Sequence, residues 1–197
     1  MPSNEALELR QKWDRIYRAT DAADIPPPAR VLAENAHLLP RAGTALDLAS
    51  GLGGNALFLA RRGLETRAYD ISWEALARLE RLAERLSLGV ATEVRDVVAN
   101  PPEPESFDAI IVSRFLHRSL APAIQAALRP GGLLFYQTYT VEKARDTGPS
   151  NPAYLLQPNE LLGLFRRLRL LAYREEGWTG ETSLGFRNEA LLVGQKT

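Results

Sequence analysis

Cysteine is absent, which removes thiolate catalysis, cysteine-built zinc sites and any disulfide framework from consideration. Net charge is absent too. With 24 basic side chains balancing 24 acidic ones, no global field attracts nucleic acid or an acidic membrane surface, and such a partner would need a local patch. The longest apolar runs, such as Ala109 to Val112 and Gly131 to Tyr136, fall far short of the ~20 residues that a membrane-spanning helix requires. The stretch from Met1 to Arg10 lacks the apolar centre of a signal peptide, so a cytoplasmic location is the expectation. Repeats and low-complexity tracts are missing, and Pro26 to Pro28 and Pro101 to Pro104 read as surface connections rather than linkers between domains. Lysine is scarce, with 3 against 21 arginines, a bias that genome composition and thermal adaptation explain equally well.

What is present is ordinary core-forming material. A chain of 197 residues with 45% hydrophobic side chains buries roughly 70% of its unfolded surface without metal or disulfide support, so the expectation is one domain over 1–197. Apolar residues at helical spacing (Leu9, Trp13, Ile16 and Tyr17) predict an opening helix over Glu5 to Ala19 with those four on one face. A second short helix is expected over Ala29 to Leu38. Strands are expected at Thr44 to Leu48, Glu65 to Tyr69, Val90 to Val94, Phe107 to Val112 and Leu133 to Tyr139. Helices are expected between them at Asn55 to Arg62, Ser72 to Leu86 and Ala121 to Leu128, the last stopped by Pro130 and Gly131. This alternation implies parallel βαβ units wound on both faces of one sheet. After Thr140 the pattern changes to a loop rich in Gly, Pro, Ser and Asn, then a helix starting near Pro158. Two strand-like runs follow, Leu168 to Arg174 and Glu189 to Gln195, which read as an antiparallel pair.

In an open parallel sheet, ligands bind beyond the carboxyl ends of the strands where the winding reverses, and the turn at Gly51 to Gly54 follows the first strand there. Gly51 and Gly53 can take positive φ and admit a ligand close to the main chain. Asp70 ends the second strand 19 residues after Gly51, where a carboxylate can accept hydrogen bonds from both ribose hydroxyls. Asp96 follows the third strand in the same way. Each also has a plainer reading: glycines are common in turns, Asp70 can cap the next helix, and Asp96 can be an exposed loop acid. Their joint placement after three consecutive strands favours an adenosine site.

Two cofactors compete for it. Gly51-Leu52-Gly53-Gly54-Asn55-Ala56 satisfies G-x-G-x-x-[G/A], the dinucleotide fingerprint. A pyrophosphate, however, needs a helix N-terminus free of negative charge, and Asp47 lies on that approach. A cationic ligand with an amino group tolerates Asp47, whereas a pyrophosphate is repelled.

The run Ala45-Leu46-Asp47-Leu48-Ala49-Ser50-Gly51-Leu52-Gly53-Gly54-Asn55 resembles motif I of class I S-adenosylmethionine-dependent methyltransferases, with Ala49 where the commonest pattern has glycine. That substitution is tolerable if the position does not need positive φ. Tyr69-Asp70-Ile71-Ser72, Arg95-Asp96-Val97, Phe107-Asp108-Ala109-Ile110-Ile111 and Arg129-Pro130-Gly131-Gly132-Leu133-Leu134 follow in the order expected of that family. The resemblance covers about residues 13 to 139. Trp13-Asp14-Arg15-Ile16-Tyr17 is similar to the W-D-x-x-Y segment of the tellurite-resistance and thiopurine-type methyltransferases, although core packing also accounts for Trp13 and Tyr17.

The resemblance implies a Rossmann-like methyltransferase fold, a doubly wound, mostly parallel seven-stranded sheet ending in an antiparallel strand pair. It implies a helical cap over 1–40, a cofactor-binding core over 41–140 and a substrate-side loop, helix and strand pair over 141–197. S-adenosylmethionine is the implied cofactor, and no metal is expected. Gly51 and Gly53 would meet its methionine and ribose part, and Asp47 would support the amino group directly or through water. Asp70 would take the ribose hydroxyls, Asp96 the adenine amine, and Val97 a main-chain contact to the ring. Ser113 would offer its carbonyl near the amino group, while Ala49, Asn55 and Ile71 complete the set. Trp13 and Tyr17 would present an aromatic face to the sulfonium or methionine end, an arrangement that cation–π attraction favours.

Methyl transfer from a sulfonium is an in-line displacement in which alignment supplies most of the acceleration. With the W-D-x-x-Y resemblance and no obvious base dyad, the expected acceptor is a small soft nucleophile, a thiol or a chalcogen oxyanion such as tellurite or selenite. His117 and Arg114 are the nearest substrate-facing candidates, with structural packing and ion pairing as their other readings. The loop Gly148-Pro149-Ser150-Asn151-Pro152, with Tyr154, reads either as a substrate wall or as an ordinary surface loop. A nicotinamide-dependent oxidoreductase and a non-catalytic cofactor-binding module are the other functional classes. The partners expected are a small-molecule substrate, no nucleic acid and no membrane, with the chain a monomer or homodimer.

Overall fold

A computed structural model describes residues 4–20 and 25–197, so the first three residues of the Met1–Arg10 stretch lie outside the described residues. The chain opens with helix α1, Asn4–Ala19. Its expected apolar face is split: Trp13 and Tyr17 are half-buried, whereas Leu9 and Ile16 are exposed. The reason is that α1 packs chiefly on one neighbour, the later helix α4 (Trp73–Arg85), and has only a narrow stripe to cover. Helix α2 is also shorter than expected, Arg30–Glu34 followed by a 3-10 turn at Ala36–Leu38. The Asn35 side-chain amide donates to the Val31 carbonyl at 2.9 Å, and Pro40 drives Leu39 into extended backbone, so the helix stops there.

The expected alternation then holds. Strand β1 is Thr44–Leu48, followed by α3 (Gly54–Arg61), β2 (Glu65–Asp70), α4 and β3 (Val90–Val94). Next come β4 (Phe107–Ser113), α5 (Ala121–Ala127), β5 (Leu128–Tyr139), α6 (Glu160–Leu164), β6 (Arg169–Arg174) and β7 (Glu189–Gln195). Pro130 and Gly131 do not stop α5 as the sequence suggests. The helix ends at Ala127, and β5 begins five residues before the expected Leu133. The Gly131 N–H donates to the Lys196 carbonyl at 2.8 Å and the Lys196 N–H to the Gly132 carbonyl at 2.9 Å, which draws the glycines into the sheet. Pro130, without an N–H, falls where the β4–β5 pairing is irregular.

The sheet order is β3-β2-β1-β4-β5-β7-β6, parallel throughout except that β7 runs antiparallel to both β5 and β6. This is the doubly wound, mostly parallel seven-stranded sheet that the resemblance implied, with the antiparallel C-terminal pair that the strand pattern implied. Side chains alternate across it. Ala45, Ala109, Ile111, Phe135 and Val193 meet Val31 and Leu32 of α2 and Leu59 of α3 on one face. Leu46, Leu48, Ile110, Val112, Leu134 and Leu192 meet Ile124 of α5 and Leu161 and Phe165 at α6 on the other. Central parallel strands are covered twice, which is why β1 and β4 read as nearly continuous apolar runs. Helix α4 buries Leu76, Leu79 and Ala83 against β2 and α3 and turns its charges to solvent. No described helix is long and apolar enough to cross a membrane.

The chain leaves β1 toward β2 and β3, then returns to β4 on the other side. That reversal places the topological switch point at the carboxyl ends of β1 and β4, where ligands bind in open sheets of this kind.

Candidate functional site

The turn after β1 is built from left-handed residues: Ala49 at φ 56, Gly51 at φ 53 and Gly53 at φ 77. Ala49 therefore does need positive φ, and the condition for tolerating it without strain is not met. Its Cβ crowds the following carbonyl at a cost of roughly 1–2 kcal/mol. The turn is held by the Ser50 N–H donating to the Tyr69 carbonyl and the Gly53 N–H to the Ser50 carbonyl, each at 3.0 Å. Leu79 of α4 packs where a Cβ on Gly53 would project, so that glycine also serves helix packing. Ser50 Oγ is buried with no hydrogen-bond partner, an exception that a polar ligand at the turn can resolve.

Asp47 lies beneath this turn with no exposed surface. Its carboxylate accepts from Asn55 Nδ2 at 3.1 Å and from the Ala56 N–H at 3.0 Å. Burial raises its pKa to about 7, against the pull of those two hydrogen bonds, and neighbouring Asp70 raises it further. Asp47 holds Asn55, whose Nδ2 also donates to Ser113 Oγ at 3.0 Å and whose Oδ1 accepts the Ala29 N–H at 2.8 Å. The argument against a pyrophosphate changes form, because Asp47 occupies the Ala56 N–H in the first turn of α3 that such a ligand would use.

Asp70, at the tip of β2, accepts the Gly51 N–H and the Ser72 N–H, each at 2.8 Å. Burial pushes its carboxyl above the usual range, and the backbone donors at Ser72 and Gly51 oppose that push. The helix cap proper is Ser72, whose Oγ accepts from the Ala75 N–H at 3.2 Å. Asp70 instead ties the glycine turn to Ile71-Ser72, with backbone donors at Ser72, Gly51 and Ile71 all directed at its carboxylate.

Asp96 is half-exposed, and its Oδ1 accepts the N–H groups of Val98 at 3.0 Å and Ala99 at 3.3 Å, while Val97 is buried. Arg95, given no role of its own in the sequence motif, lies over the Tyr69 ring at 4.8 Å. It donates to the carbonyls of Asn100 and Pro101 and pairs with Glu103, folding the loop that carries Asp96.

Above the turn, Trp13 and Tyr17 stack at 5.7 Å, and the Tyr17 hydroxyl lies 2.7 Å from where a Cβ on Gly51 would sit. Burial raises the Tyr17 pKa, and the nearby Asp70 and Asp47 carboxylates add to it. Tyr17, Asp47, Gly51, Asp70 and Ser113 are thus brought together at the tips of β1, β2 and β4, with Trp13 stacked on Tyr17 and Asp96 on the neighbouring tip.

On the β4–β5–β7 side, Arg114 takes φ 54 and is exposed, with Nε 3.5 Å from Glu189. Glu189 accepts from Gln137 Nε2, and Gln137 Oε1 accepts the Val31 N–H at 2.7 Å. His117 is exposed and its Nδ1 faces Ser119 Oγ at 3.0 Å. Three side chains that the sequence reading missed hold the surrounding loops. Asn188 binds the backbone of Ala144 and Arg145. Arg187 donates to the carbonyls of Gly177, Thr179, Glu181 and Leu184. Arg118 donates to the carbonyls of Ala153 and Leu155 and pairs with Glu160, fastening the segment around Tyr154. A buried Gln within an apolar strand was the one local signal for Gln137; Asn188, Arg187 and Arg118 had none. Among the described residues no cluster of three His, Asp or Glu is placed to hold a metal ion.

Residues 45–132 match the family model of a methyltransferase domain. Hemagglutinin 1 of Eikenella corrodens is 38% identical over 94 residues, 44% of this chain, and the chain spans only 31% of that protein's length. Among solved structures, one on the conversion of a disulfide bond into a thioacetal group during echinomycin biosynthesis matches with TM-score 0.73 at 23% identity, covering 95% of this chain and 92% of the other. TehB from Haemophilus influenzae matches with TM-score 0.66 at 21% identity over 95% of this chain and 67% of its own. Geranyl diphosphate C-methyltransferase from Streptomyces coelicolor A3(2), solved with Mg2+, geranyl diphosphate and S-adenosyl-L-homocysteine, matches with TM-score 0.69 at 16% identity over 100% of both chains. The segment 45–132 is thus matched by the methyltransferase domain family, and the chain around it carries the Rossmann-like fold of class I methyltransferases.

Proposed function

We propose that this chain is an S-adenosylmethionine-dependent methyltransferase whose acceptor is a small soft nucleophile, a thiol or a chalcogen oxyanion such as tellurite or selenite. The observation that carries the reading is the Gly51–Gly53 turn, bracketed by Asp47 and Asp70 inside the segment matched by the methyltransferase domain family. The residues present fit the cofactor. Asp70 stands at the tip of β2 where a carboxylate can accept from a ribose hydroxyl, Gly51 and Gly53 carry no side chain over the turn, and the Trp13–Tyr17 stack offers aromatic faces to a sulfonium. The dinucleotide alternative is weakened because Asp47 already occupies the Ala56 N–H.

When bound, S-adenosylmethionine supplies an electrophilic methyl group. The chain's own work is to align an acceptor with it and exclude water, which can lower a barrier substantially without a base. Asp96 and Val97 would hold the adenine end, and Ser113 with Asn55 the amino end. Exposed Arg114 at the tip of β4 attracts an anionic acceptor, and His117 beyond it is the weaker substrate-facing candidate.

Calorimetric titration with S-adenosylmethionine, S-adenosylhomocysteine and NAD(H) tests the cofactor: binding of the first two, and not the third, is expected. Product formation across thiols, selenite, tellurite, alcohols and amines tests the acceptor. Turnover confined to alcohols or amines overturns the soft-nucleophile reading, and no turnover with any acceptor leaves a binding module.

A further inference from the structure

Helix α1 carries the two aromatic residues over the glycine turn, yet little apolar burial fixes it, since Leu7, Leu9 and Ile16 all face solvent. Its attachment is polar. Asp14 Oδ1 accepts from Ser72 Oγ at 2.6 Å and from the Glu74 N–H at 3.2 Å, so α1 supplies a second cap to the first turn of α4. Arg18 pairs with Glu74. In return Arg78 donates to the carbonyls of Thr20 at 2.6 Å and Arg18 at 3.2 Å, satisfying acceptors at the carboxyl end of α1.

Ser72 is fully buried and has a second connection. Its N–H donates to Asp70 Oδ1, while Asp70 Oδ2 accepts the Gly51 N–H. The contacts close a ring: Gly51 to Asp70, Asp70 to Ser72, Ser72 to Asp14, and along α1 to Tyr17, whose hydroxyl returns to Gly51. A ligand reaching the Gly51 backbone from the α1 side meets Tyr17 first.

We infer that Asp14 is a positioning residue: by capping α4 it seats α1 over the glycine turn, and through Ser72 it couples that seating to occupancy of the Asp70 carboxylate. The inference rests on the reading of Asp70 as the ribose-binding acid. Coupling of this kind is reciprocal, so ligand at Asp70 stabilises docked α1 to the same degree that docked α1 tightens the ligand.

The probe is S-adenosylhomocysteine, with two readouts on the full chain. In the unaltered protein it protects the α1 sites Arg10, Lys12, Arg15 and Arg18 from trypsin. Asp14→Ala weakens its affinity by about tenfold, within the usual range for coupled sites, and abolishes that protection. Asp14→Asn keeps the Oδ1 acceptor and restores both. A merely structural role would lower thermal stability without removing ligand-dependent protection. If Asp14→Ala binds as the unaltered protein does and α1 remains protected, the coupling is wrong while the cofactor reading stands. If the unaltered protein does not bind S-adenosylhomocysteine, the cofactor reading fails and the coupling falls with it.

Discussion

The two halves of the sheet's carboxyl end are built by different rules. At the tips of β1 and β2, polar side chains bond to backbone close in sequence: Asp47 to Ala56, Asp70 to Ser72 and, 19 residues away, to Gly51. At the tips of β4, β5 and β7, the loops are held by side chains reaching much further, Asn188 across 44 residues to Ala144 and Arg118 across 37 to Leu155. The first half centres on a compact turn held by bonds within a short stretch of chain, with Asn55 reaching further to Ala29 and Ser113. The second exists only once distant segments have met, and under the proposed function it is the side where acceptor specificity could vary without disturbing the first.

If the halves are separable, damage to one leaves the other's readout intact. Asp70→Ala has the largest expected effect: it strips the Gly51 and Ser72 N–H groups of their acceptor and removes the acid proposed to hold the ribose. Calorimetry with S-adenosylhomocysteine should show a loss of about a hundredfold, roughly 2.7 kcal/mol. Arg187→Ala strands several carbonyls of the 177–184 loop and should cost about 2 kcal/mol, read as faster proteolysis there. Affinity for S-adenosylhomocysteine should stay within about twofold, since each half has its own supports; a large loss would merge the two halves.

Smaller effects sharpen the cofactor side. Asp47 has a folded pKa of about 7 against an ordinary carboxylate value in the unfolded chain, so the folded state binds its proton more tightly. Its contribution to stability is present below the unfolded pKa and is lost as pH rises through about 7. Denaturant unfolding at pH 5 and pH 8 should show the unaltered protein losing more stability than Asp47→Asn over that interval, by more than about 1 kcal/mol. The smallest change is a gain. Ala49→Gly relieves the left-handed strain and should stabilise the fold by about 1 kcal/mol after glycine's greater unfolded entropy is counted, a Tm rise of roughly 2–4 °C.

Strands β1, β3 and β7 fall on their expected boundaries because apolar runs flanked by turn residues are local signals. The early start of β5 escaped notice because it depends on Lys196, a residue remote in sequence that pairs with Gly131 and Gly132. Trp13 and Tyr17 were legible from spacing, and Asp14 stood beside them in the W-D-x-x-Y segment, but its role was not legible because its partners Ser72 and Glu74 lie at the start of another helix.

Amino-acid order alone determined the alternating elements, the antiparallel finish and the acids at successive strand tips, because hydrophobic period and turn chemistry act over a handful of residues. Only the folded chain decided that Asp47 is sealed beneath the turn, that Ala49 is strained, and that α1 is pinned through Ser72. Burial, backbone angle and cross-helix hydrogen bonds arise when segments far apart in sequence are brought together, and no local pattern encodes them.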